Sequence, residues 1–160
     1  MRRRWITALV AVVVAATAGV VGLPAASYAA TGLHTTAGWF DSDNFFNSEL
    51  DANQHIGDCT LIRDGLTYRT NVYLGPPNGG LSHLHLAARS STSHTNNADI
   101  WRVTLTFITD FGTTIVTTPE FRSVDMKTLN YPYEWHIDRF IAVDPALFSS
   151  IRLVRWASSC

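Results

Sequence analysis

Lysine is almost missing from this 160-residue sequence: Lys127 is the single one, and arginine supplies the rest of the twelve basic side chains. Three of those, Arg2, Arg3 and Arg4, stand together at the start. Residues 30 to 160 therefore carry nine basic against thirteen acidic side chains, a net charge of −4. A surface of that sign is not built to hold nucleic acid or an anionic membrane. No internal repeat and no heptad or helical-bundle pattern runs through the chain, which excludes solenoid and coiled-coil architectures. There is also no Gly-x-Ser-x-Gly elbow to present a serine nucleophile. Cysteine occurs only twice, at Cys59 and Cys160.

The one long apolar run is at the front. Arg2 to Arg4 precede a stretch from Trp5 to Leu23 that ends at Pro24 and small residues. Basic residues, an apolar core and a small-residue site together read as a secretory signal. Ser27 and Ala29 satisfy the small-residue requirement for a cut after Ala29, whereas a cut after Ala30 would put the bulky Tyr28 in one of those positions. The expected organisation is a signal peptide over 1–29, an acidic segment over 30–58 and a β domain over 59–160. The run is rich in Ala and Gly and has no charged stop on its far side, unlike a membrane anchor. An extracellular destination follows, with no membrane attachment after cleavage. The Ala/Val-rich signal and lysine-poor body look like those of an actinomycete secreted protein.

Two cysteines in an oxidising compartment predict one bridge, Cys59 to Cys160, that pins the last strand. From Cys59 onward the residues alternate with the period of strands. Trp101, Val103, Leu105 and Phe107 alternate with Arg102, Thr104 and Thr106, so one face of that strand is core. Asp64-Gly65 reads as a two-residue hairpin turn between strands at 59–63 and 66–74. Further strands are expected at 81–89, 113–118, 131–142 and 151–157. Asp144-Pro145 should cap a single helical turn. The fold class is all-β: an antiparallel sandwich or small open barrel of about six to seven strands, with a polar N-terminal arm and one disulfide.

Residues 30–58 differ from the rest. They hold Asp41, Asp43, Glu49, Asp51 and Asp58 with no Lys or Arg, yet also Trp39, Phe40, Phe45 and Phe46. Large aromatics seldom stay in water without reason. Either the segment lies across an open end of the domain and these rings cover it, or it is a flexible arm that orders on contact and anchors a partner through Trp39, Phe40, Phe45 and Phe46. A short amphipathic helix within 43–54 suits both.

Histidine carries the candidate chemistry. His83 and His85 lie two apart and share a strand face, and Glu134, His136 and Asp138 alternate likewise. A metal site from His83, His85 and His136 or Glu134 can be drawn, but the set lacks a secured third ligand, and no metal or other cofactor is expected. Glu120, Glu134 and Asp138 could meet as carboxylates for glycoside hydrolysis. Tyr131, Tyr133 and Trp135 alternate on one strand, either as its buried face or as a platform for stacking sugars.

In outline, a signal peptide, a polar segment bearing aromatics and a compact β domain of this size, the chain resembles the small adaptor subunit of the umbrella toxin particles secreted by Streptomyces-type bacteria. That resemblance implies a protein that joins a stalk subunit to a lectin-like subunit, with its N-terminal stretch inserted into the stalk. The leading expectation is a secreted, non-enzymatic interaction protein that binds a secreted protein partner. The alternatives are a carbohydrate-binding module for cell-surface sugar and a small metal-dependent enzyme using His83, His85 and His136.

Overall fold

The computed structural model describes residues 30–64, 69–94 and 98–160. The expected signal peptide over 1–29 lies outside the described residues. Among those residues no helix is long and apolar enough to cross a membrane.

The chain is nearly all β and every strand pair is antiparallel. Among the described residues eleven strands form: β1 (Thr31–Phe40), β2 (Phe46–Glu49), β3 (Gln54–Ile56), β4 (Cys59–Leu61), β5 (Asn71–Leu74), β6 (Leu81–Thr92), β7 (Arg102–Ile108), β8 (Thr114–Thr117), β9 (Phe121–Arg122), β10 (Tyr133–Ala142) and β11 (Leu153–Ser159). This exceeds the expected six to seven, because the N-terminal segment contributes β1, β2 and β3 and the two-residue β9 adds one more. The strand order is β3-β4-β6-β5-β2-β1-β11-β7-β8, with β10 on the other edge of β6 and β9 on β7.

The N-terminal segment is not an arm. Thr31 to Ala37 pair with β11, and Gly38 to Phe40 pair with β2, so β1 lies between the last strand of the chain and the second. The helix considered within 43–54 is absent: Phe46 to Glu49 are strand, paired with β5. Tertiary pairing decides here, since a four-residue apolar spacing between Phe46 and Leu50 is weaker than two flanking ladders. The turn that joins β1 to β2 is held by Asp41, whose carboxylate accepts from the backbone N–H of Asp43 (3.0 Å) and Phe45 (2.9 Å) and from Asn47 Nδ2 (3.1 Å). The bond from the Phe45 N–H is the main reason the Asp41 carboxyl titrates below its ordinary value.

A single core contains Trp101, Val103, Leu105, Phe107 and Trp156, together with Phe46, Leu74, Leu84 and Leu86. Phe46 meets Phe107 edge to face at 5.9 Å, and Trp156 Nε1 donates to Thr36 Oγ1 at 2.8 Å. Gly38 is required at its place, because a Cβ there would collide with the Phe46 ring. The alternation expected for 101–107 is borne out, each of its four apolar residues being buried. So is the helical turn: Asp144 accepts from Ala146 N at 2.9 Å and caps α1 (Pro145–Phe148).

Cys59 and Cys160 are bonded, with their Cα atoms 6.1 Å apart and 101 residues of separation. The bridge ties the start of β4 to the residue after β11. The turn near residue 64 is wider than expected. Asp64 bridges to Arg69, whereas a two-residue turn at Asp64-Gly65 would set Arg63 opposite Leu66; residues 65–68 lie outside the described residues. β4 and β5 share one edge of β6 and do not pair with each other. The two-residue hairpin instead sits at Gly79-Gly80, both at positive φ, where Asn78 and Leu81 exchange backbone hydrogen bonds.

Candidate functional site

Strand alternation splits the four N-terminal aromatics into two pairs. Phe46 is fully buried, and Phe40 is half-buried against it and Phe148, with ring centroids 5.4 Å apart in each case. Trp39 and Phe45, their immediate neighbours, point the other way and remain 49% and 36% exposed. Each dipeptide thus gives one ring to the core and one to the surface. Of the expected partner anchors, Phe46 cannot reach a partner without leaving the core, and Phe40 is committed to packing.

Register then carries the outward rings to the histidines. Trp39 stands opposite Asn47, Asn47 opposite Tyr73, Tyr73 opposite His85, and His85 opposite Asp138. Side chains opposite one another in a ladder share a face, so these five form one row across β1, β2, β5, β6 and β10, about 19 Å long at the usual strand spacing. A second row runs beside it. Phe45 lies over Gly75, where a Cβ would come 3.1 Å from Phe45 Cε1; Gly75 N donates to the His83 carbonyl, and His83 faces Phe140 with ring centroids 5.3 Å apart. Phe140 is 70% exposed. Glu49, Asn71, Ala87 and His136 form a third row.

Asp138 organises the centre. One of its carboxylate oxygens lies 2.8 Å from His85 Nδ1 and 3.4 Å from His83 Nε2. The hydrogen bond from His85 is the first cause that holds the Asp138 carboxyl below its ordinary value, and His83 and His136 add to it by charge. The His85 ring also stacks on His136 at 5.8 Å and leans on Tyr73 at 6.0 Å. Tyr73 is fixed in turn by Asn71 Nδ2, 2.8 Å from its hydroxyl.

The expected sharing of a face by His83 with His85, and by Glu134 with His136 and Asp138, agrees with their register. Among the described residues, however, no three His, Cys, Asp or Glu side chains form a group that could hold a metal. His85 and His136 stack ring on ring. The Asp138–His85 bond resembles the orienting half of a general base, but no hydroxyl or thiol is hydrogen-bonded to His85 among the described residues. Tyr131, Tyr133 and Trp135 are not a platform on this face. Trp135 is buried and donates to Ser90 Oγ at 3.2 Å, while the Tyr133 hydroxyl accepts from the backbone of Lys127 and Thr128. Tyr73 and Phe140 went unsingled in the sequence; Phe140 extends the alternation Glu134, His136, Asp138 by one step, a signal that was there to follow.

The site is a shallow face, not a cleft. A hollow of about 280 Å³ beside the histidines is open to solvent and lined by Asn71, Tyr73, His85, Ala87 and His136. No family model, curated protein or solved structure matches the chain.

Proposed function

We propose that this is an exported, non-enzymatic interaction protein that docks a secreted protein partner on the outer face of β1, β2, β5, β6 and β10. The observation that carries the reading is that four exposed rings, Trp39, Phe45, Tyr73 and Phe140, share one sheet face with the Asp138–histidine cluster, Tyr73 and Phe140 lying against it. Exposed aromatics grouped on one face are the composition of a binding surface, and Trp and Tyr dominate its energetics. The net charge of −4 over residues 30–160 favours a partner whose contact patch has an apolar centre and a basic rim. An adaptor role within an extracellular assembly, as in the umbrella toxin particles, fits such a surface. It now rests on strand faces and not on an inserted arm. The architecture that goes with it is an open antiparallel sandwich, supported by the contact of Phe46 with Phe107.

Carbohydrate is a second reading. It is favoured by Trp39 and Tyr73 lying in one row with the exposed carboxylate of Asp138. Size exclusion of native culture supernatant separates the two. An adaptor elutes inside a far larger particle, and Trp39→Ala with Phe45→Ala releases it as a small species. Elution of the unmodified protein as a small species, together with retention on a polysaccharide gel that the same double substitution abolishes, would replace the adaptor reading with the carbohydrate one.

A further inference from the structure

β10 is an open sheet edge of unusual length. The other strands at sheet edges are short: β3 has three residues, β8 four with a register shift against β7, and β9 two. β10 has ten, pairs one to one with β6 over all of them without a bulge, contains no proline, and pairs with no second strand among the described residues. Folded proteins normally blunt such an edge, since its unpaired N–H and C=O groups are a template for another strand.

Alternation shows which groups are offered. The carbonyls of His83 and Arg89 in β6 accept from Gly75 and Ile62, on the side away from β10. The even-numbered residues of β6 therefore face β10, where the register sets them opposite its odd-numbered residues. The backbone groups of Glu134, Asp138 and Phe140 are left pointing to the open edge. The Asp138 carbonyl agrees with this: its partner is the guanidinium of the adjacent Arg139, at 3.3 Å. Beside the edge lies an open groove of about 290 Å³ lined by Phe121, Arg122, Ile137, Arg139 and Ile141 among others.

We propose that this edge pairs antiparallel with β10 of a second copy, about a two-fold axis at Ile137. The strand is self-complementary in that register. His136 falls opposite Asp138 of the other copy, and this happens twice; Glu134 falls opposite Phe140, and Ile137 meets itself. Arg139, the inward charge that would repel an apolar strand, falls opposite Trp135 and not opposite a second Arg139. Shifting the axis to Asp138 would instead set two carboxylates against each other, so charge selects the register. A two-fold contact of like surfaces closes at two copies and leaves no free β10. The contact continues the sheet beside the outer face and does not cover the Trp39 and Phe45 end of it.

Sedimentation of the purified protein from 1 to 100 µM tests this without any partner, so its outcome is separate from that of the adaptor reading. A concentration-dependent dimer is expected. Phe140→Pro removes an edge N–H but no bond to β6, and should weaken the dimer at least tenfold beyond Phe140→Ala, which keeps that N–H. Should the proline variant fail to fold, charge serves instead. His136→Asp alone sets carboxylates in opposition and weakens the dimer, and adding Asp138→His restores it. A monomer at every concentration, equal dimerisation of Phe140→Pro and Phe140→Ala, or no rescue by the exchanged pair would each overturn the proposal. So would a monomer that binds an added peptide strand along β10.

Discussion

The two faces of the sheet formed by β1, β2, β5, β6 and β10 use the same residue types for opposite purposes. On the inner face Phe46, Leu74, Leu84, Leu86 and Trp135 are buried in one core. On the outer face Trp39, Phe45, Tyr73 and Phe140 stay in contact with water, spaced by imidazoles and carboxylates. Aromatic content alone does not separate them; Trp39 differs from Phe40 in the parity of its position along β1, and Phe45, the residue before β2, faces the opposite way from Phe46. In a β protein a cluster of aromatics in sequence is thus no single unit, and half of it belongs to the fold.

The contrast can be broken first at the level of the whole segment. A chain that starts at Gln54 lacks β1 and β2, which leaves β11 and β5 each with one neighbour instead of two and removes Phe46 from the core. Circular dichroism and thermal melting should find it without a cooperative transition. A soluble product that melts near the full protein would show that the N-terminal strands are dispensable, and with them the account of the core.

A single inward ring comes next. Phe46→Ala should destabilise the protein by about 3–5 kcal/mol, the usual cost of emptying a fully buried phenylalanine site, measured by urea unfolding. A cost under about 1 kcal/mol would place Phe46 outside the core. Cys160→Ser should cost about 2–5 kcal/mol, since it frees a loop of about a hundred residues while every strand keeps its ladder. Thiol labelling of the unreduced folded protein checks the bridge itself, and none is expected.

The smallest effect is in acid. The Asp41 carboxyl is lowered by its hydrogen bonds, so its contribution to stability is present above the ordinary carboxylate value of 3.8 and is lost as pH falls through the lower folded value. Asp138 behaves with the same sign through His85. The native protein should therefore lose stability below about pH 4, and Asp41→Asn should show a shallower acid limb. An unchanged limb would remove the turn from the account.

Much of this was legible in the residues. The strand period of 101–107, the Asp144 cap and the pairing of Cys59 with Cys160 follow from local rules that the tertiary structure does not override. The N-terminal strands were obscured because their acidity and Asn/Ser/Gly content read as solvent-exposed chain, whereas it is long-range pairing with β11 and β5 that makes them sheet. The outer face was half legible. Alternation set His83 with His85 and His136 with Asp138, but joining them to Trp39 and Tyr73 requires the register of four ladders, which no local pattern encodes.

The central claim is that parity divides the aromatics between folding and binding, and one comparison tests it most directly. Trp39→Ala with Phe45→Ala is measured beside Phe40→Ala with Phe46→Ala for melting temperature and for elution within the large extracellular particle that the proposed adaptor role requires. The account predicts that the outward pair melts within a few degrees of the unmodified protein and fails to enter the particle, while the inward pair loses most of its stability. An outward pair that unfolds as readily as the inward one, or that enters the particle normally, would contradict it.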